Sequence, residues 1–191
     1  MIGFYIFYTI CSVLFVNAII DSTFKKEFLG FRIFTIVEGI LLMAFLRRVI
    51  ENFFAKKLII GFALFFIVFS VVDLNNSRSD SFDSIPAVIE CIIILGFSMF
   101  YFYEQLKNPQ SLFLYSTPNF WIVVGLIIFF AGNFFVFIYA QSNSESAEFK
   151  NTFDLINTIL SFIENILFLI AFIIARQQSK TIKSNIVAKT T

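Results

Sequence analysis

Residues 120–140 read FWIVVGLIIFFAGNFFVFIYA, 21 consecutive positions without one charged side chain. A helix needs about 20 predominantly apolar residues to cross the hydrocarbon core of a bilayer. A transmembrane strand needs only about 9–11 and alternates in polarity. This run is too long and too evenly apolar for a strand, and it has no polar face to turn toward water. It reads as a membrane-spanning helix. Working outward, comparable runs occupy Ile2–Ile20, Phe28–Leu46, Leu58–Leu74 and Ile85–Tyr103 before it, and Phe153–Ala175 after it. The expectation is an all-α, polytopic transmembrane bundle of about six spans over residues 1–175, followed by a basic tail, 176–191.

Composition leads to the same reading. Of 191 residues 59% are hydrophobic and 14% charged, against about 25% charged in a soluble domain. A soluble core of this size cannot hide that much apolar surface, whereas lipid can. A net charge of +1 offers no basic face for nucleic acid. Cys11 and Cys91 each sit inside an apolar run and read as small packing residues. A disulfide framework would need more cysteines, placed in loops.

Loop charges orient the bundle. Arg47, Arg48, Lys56, Lys57, Lys107, Arg176, Lys180, Lys183 and Lys189 fall on one side; Lys25, Lys26, Arg78 and Lys150 fall on the other, with Arg32 near a span's edge. Most loop acids lie with the smaller basic group. The positive-inside rule then puts both termini, and in particular the basic carboxyl-terminal tail, in the cytoplasm. A signal peptide opens with a charged n-region; the first run has none, so it is read as a span.

The even-numbered spans share a phrase: Ile36-Val37-Glu38-Gly39, Val88-Ile89-Glu90-Cys91 and Phe162-Ile163-Glu164-Asn165. The reading is three helical hairpins in series, each contributing an acidic second helix. A charge inside a span costs at least about 2.5–3.5 kcal/mol and turns to the bundle interior. Asp154, Asn157, Ser161, Glu164 and Asn165 follow spacings of one helical face. Gly125, Phe129, Gly132 and Asn133 do likewise, with glycines that permit close helix approach. Thr35 and Glu38 share a face with Arg32 one turn away, and Asp73 closes the third span on the same side. The candidate ligand- or ion-binding set is Arg32, Glu38, Glu90, Asn133, Asn157, Glu164 and Asn165, in the outward half of the bundle. Neutral glutamates that tie neighbouring helices together are the architectural alternative. Tyr101, Tyr103 and Trp121 read as interfacial anchors.

The chain has no histidine. That removes a serine–histidine dyad, HExxH zinc chemistry and histidine-ligated haem. No span holds a lysine for a retinal Schiff base, and no G-x-S-x-G or Walker A sequence occurs. The expectation is a protein without catalytic residues, metal or cofactor.

Several stretches taken together are similar to a recurring pattern. They are Phe120-Trp121-Ile122 with Gly125 to Phe129 and Gly132-Asn133-Phe134, Thr35 to Glu38, Glu90 through Tyr101-Phe102-Tyr103-Glu104, and Ile156 to Leu160 with Asn165-Ile166-Leu167. The chain resembles small multi-spanning integral membrane proteins of Bacteroidota over about Phe28 to Phe172. Members often have a further amino-terminal helix. The resemblance implies a bacterial inner membrane. It carries no activity, but an association with sensor histidine kinases implies a signalling accessory with such a kinase as a membrane partner. The functional expectation is a noncatalytic protein whose polar core serves ligand sensing, signalling or membrane-complex assembly. The alternative is a small-solute or proton-coupled transporter using the same glutamates. A purely structural subunit is the third option.

Overall fold

The apolar runs from Phe28 onward become helices: α1 Glu27–Val49, α2 Phe53–Asn76, α3 Ser84–Lys107, α4 Pro118–Asn143 and α5 Ala147–Thr190, with a 3-10 turn at Leu114–Ser116. This computed structural model describes residues 27–76, 84–107, 113–143 and 147–190, and side chains within 33–73, 85–107, 113–139 and 151–180. The expected span Ile2–Ile20 lies outside the described residues, as does the side chain of Arg32 in α1. Every regular element among the described residues is helical. Among the described residues four stretches are long and apolar enough to cross a membrane: Phe53–Asp73, Ile85–Lys107, Pro118–Tyr139 and Asn151–Lys180. α1 coincides with the run Phe28–Leu46.

α1, α2 and α3 pack on one another, α4 packs on α3, and α5 packs principally on α4. Of the three expected hairpins, the pairs α2–α3 and α4–α5 do pack together, while the first falls partly on Ile2–Ile20, outside the described residues. α1 joins α2 and α3 in a mutual trio, because only residues 50–52 separate α1 from α2, and so short a connection makes its helices antiparallel neighbours. Leu42, Leu46, Phe66, Ile94, Ile122 and Leu126 fill the interior. Large apolar side chains such as Phe54, Leu64 and Val68 on α2 face outward, as lipid-facing positions do.

Helix ends explain where the sequence boundaries slip. α2 starts five residues before Leu58 because Asn52 caps it: its Oδ1 accepts from Phe54 N at 2.9 Å and Ala55 N at 3.1 Å. The first-turn Lys57 ammonium lies 4.5 Å from the Phe53 ring centroid. α5 runs past Ala175 to Thr190, since no glycine or proline interrupts it. Residues 176–190, most of the expected basic tail, therefore continue the last span as helix. Arg47, Arg48, Lys56, Lys57 and Lys107 gather at one end of the bundle, its basic end.

That basic end is tied together by polar contacts. The Glu104 carboxylate accepts from Glu51 N at 2.8 Å and Asn52 N at 2.6 Å, clamping the α1–α2 turn to α3. Trp121 Nε1 donates to the Tyr115 carbonyl at 2.8 Å, and Gln178 Nε2 to the Ser116 carbonyl at 2.9 Å. Tyr103 is exposed, as an interfacial residue would be. Tyr101 is not: it is 2% exposed and its hydroxyl is hydrogen-bonded to Thr117. Cys91 is a buried free thiol in the core; Cys11 lies outside the described residues.

Candidate functional site

Gly39 sets the level of the site. A Cβ placed on it would lie 2.7 Å from Phe66 Cε1 and 2.9 Å from Glu90 Oε1. Three helices therefore meet there, with α1 and α3 running in the same direction. Glycine is needed because any side chain would occupy the space that the Glu90 carboxyl and the Phe66 ring already fill. Glu38, the neighbour of Gly39, is buried and close enough to Glu90 to act on it electrostatically. Glu90 is 3% exposed, and its Oε1 has no hydrogen-bond partner.

α4 brings an amide to the same depth. Phe102 of α3 and Phe120 of α4 meet edge to face at 5.6 Å between centroids. The two helices are antiparallel, so moving away from the basic end by the same distance on each reaches Glu90 on α3 and Gly132–Asn133 on α4. Asn133 is fully buried. Its Nδ2 donates to the Phe129 carbonyl at 3.1 Å, while its Oδ1 has no partner. One turn farther from the basic end lie the buried Thr35 on α1 and Ser70 on α2, the latter with an unpartnered Oγ. Glu38, Glu90, Asn133, Thr35 and Ser70 thus form one polar layer in the half of the bundle away from the basic end.

The third glutamate stands elsewhere. Gly132 faces Leu160, with Leu160 Cδ1 2.5 Å from where its Cβ would be, and Gly125 faces Phe168 at 3.1 Å. These contacts bear out the two glycines as close-approach points between α4 and α5. Glu164 falls between them, about 6 Å nearer the basic end than Asn133. It is buried, but α4 separates α5 from the α1–α3 contact. The shared phrase marks three buried carboxyls, of which two meet.

Asn157 is half-buried, while Asn165 and Asp154 are exposed. Asn165 Nδ2 donates back to the Ser161 carbonyl at 2.8 Å. A helix turns about 100° per residue, so Glu164 pointing inward sends Asn165 outward; reading them as one face was too generous. Sequence reasoning missed Ser70 and the clamp at Glu104. Glu104 did carry a signal, as an acid at the basic end of a span.

Chemically, the layer offers acceptors that lack donors. A buried polar atom without a partner costs about 1–3 kcal/mol, so Glu90 Oε1 and Asn133 Oδ1 favour anything that brings a proton, an N–H or a cation to them. Among the described residues no cluster of three or more histidine, cysteine, aspartate or glutamate side chains is placed to hold a metal ion. No protein-family model, curated protein or solved structure matches this chain, and the reading of the layer rests on its own geometry.

Proposed function

We propose that the chain is a noncatalytic bacterial inner-membrane protein of about six spans whose polar layer binds a small donor ligand or a partner's transmembrane helix. Its output is signalling or membrane-complex assembly, with a sensor kinase as the partner class that the resemblance implies. The observation that carries the reading is the seating of the Glu90 carboxyl against α1 at Gly39, beside the buried Glu38 and at the depth of Asn133, with two buried acceptor oxygens lacking donors. With the basic end in the cytoplasm, the layer lies in the outward half of the bundle. The test is affinity purification of the full chain in mild detergent, native against a Glu38→Gln/Glu90→Gln double variant. A stoichiometric partner recovered with the native chain and lost with the variant is the expected result. Unchanged recovery and an unchanged cellular phenotype refute the role of the layer.

The second reading, a cation- or proton-coupled transporter, is favoured by the same two adjacent carboxyls. Against it, α1, α3 and α4 run unbroken past the layer, whereas transporter sites are typically built on interrupted helices. Solute uptake by proteoliposomes that follows an imposed pH gradient would select this reading, and flat traces would eliminate it.

A further inference from the structure

Asn165 lies at the middle of the apolar stretch Asn151–Lys180 and on the exposed side of α5. One amide N–H is satisfied by the Ser161 carbonyl at 2.8 Å. Among the described residues its second N–H and its Oδ1 meet no partner, so they face hydrocarbon. Polar groups at that depth are costly unless another helix supplies a partner.

The residues around it form a pattern. Leu155, Thr158, Phe162, Asn165, Leu169 and Phe172 follow alternating spacings of three and four, a 3.5-residue repeat along one stripe. Leu155, Phe162 and Leu169 are 62%, 67% and 58% exposed, Thr158 and Asn165 are exposed, and Phe172 is half-buried. α5 already uses a different face, with Glu164, Phe168 and Ala171, against α4. A second, heptad-spaced seam beside that face has the form of a left-handed helix pair.

We propose that this stripe is a dimer interface, on which α5 packs against α5 of a second copy with the Asn165 amides hydrogen-bonded across a two-fold axis. The occupant follows from symmetry and chemistry. Copies inserted with the same topology place their α5 helices parallel, so a heptad stripe meets itself layer by layer. An amide is donor and acceptor at once, so Asn165 complements another Asn165 at the same depth. A single asparagine in such a seam fixes register and partner number. This inference is independent of the polar layer at Glu38 and Glu90.

The test uses the full chain in liposomes, with Cys11→Ser and Cys91→Ala as background. Single cysteines are placed by Phe162→Cys or Leu169→Cys on the stripe, and by Val68→Cys on the exposed face of α2 as control. Copper-catalysed oxidation should give covalent dimers from both stripe positions and only background from Val68→Cys. Fluorescence transfer between labelled copies diluted into lipid should show association weakened about fivefold by Asn165→Leu, with partial recovery for Asn165→Gln. Among the described residues Asn165 is exposed and bonds only within α5, so helical content should stay unchanged in both. Dimer yield no higher than the control, or association indifferent to Asn165→Leu, overturns the proposal. So does cross-linking to a different protein in native membranes.

Discussion

Replacing Gly39 by alanine tests the packing at the level of the polar layer. The added methyl would sit 2.7 Å from Phe66 Cε1 and 2.9 Å from Glu90 Oε1, both closer than carbon normally tolerates. Neither neighbour can retreat cheaply, because Phe66 is 0% and Glu90 3% exposed. Overpacking of this kind costs about 1–3 kcal/mol, while exchanging glycine for alanine in a helix gains up to about 1 kcal/mol in propensity. Gly61, on the open side of α2, provides the comparison: a Cβ there meets nothing within 4 Å. Gly61→Ala should therefore keep the propensity gain alone. The difference between the two variants isolates the overpacking term, about 1–3 kcal/mol or roughly 5- to 150-fold in the unfolding constant. Reversible unfolding in mixed dodecyl sulfate–maltoside micelles, followed by circular dichroism and by Trp121 fluorescence, measures it. If Gly39→Ala matches Gly61→Ala within about 0.5 kcal/mol, α1 does not approach Glu90 as closely as the argument requires.

Three further outcomes are expected from the basic end. Glu104→Ala removes both acceptors from the Glu51 and Asn52 amides, and should destabilise the fold by about 1–3 kcal/mol, with Glu104→Gln intermediate in the same micelle assay. Tyr101→Phe removes the hydroxyl bonded to Thr117 and should cost about 0.5–1.5 kcal/mol, whereas Tyr103→Phe, at an exposed position, should be neutral; equal effects would contradict the burial of Tyr101. Gln178→Ala cuts the bond from α5 to the Ser116 carbonyl, and a spin label at Lys180 should become measurably more mobile, with an unchanged spectrum counting against that tether.

The helical, apolar character of the fold was legible because it depends on run length alone, and residues 120–140 settle it without any tertiary information. Two of the three repeated glutamates were legible as partners for a similar reason. α1 and α3 run in the same direction, so the same phrase at a similar depth places Glu38 and Glu90 together once those helices touch. Which helices touch is not written in periodicity, and Glu164 was grouped with the other two although α4 stands between them. The Asn165 misreading has a different origin. Side-chain pattern assigns a face to within a wide sector, and adjacent residues straddle its edge. The clamp at Glu104 was hidden because its partners are backbone amides of Glu51 and Asn52, which no residue pattern names.

The uninterrupted course of α5 has a mechanical consequence. Its 44 residues make a rod of about 66 Å, roughly twice the thickness of the hydrocarbon core. With no glycine or proline to act as a joint, torque applied to the span is carried along the axis to Thr190 rather than absorbed at the membrane surface. The fulcrum is the hydrogen bond from Gln178 to Ser116, which lies between the membrane-embedded length and the projecting length. Pivoting there, the 12 residues beyond Gln178, about 18 Å of helix, move sideways opposite to the far end of α5 and about 0.4 times as far, because the arm back to Ala147 is about 46 Å long.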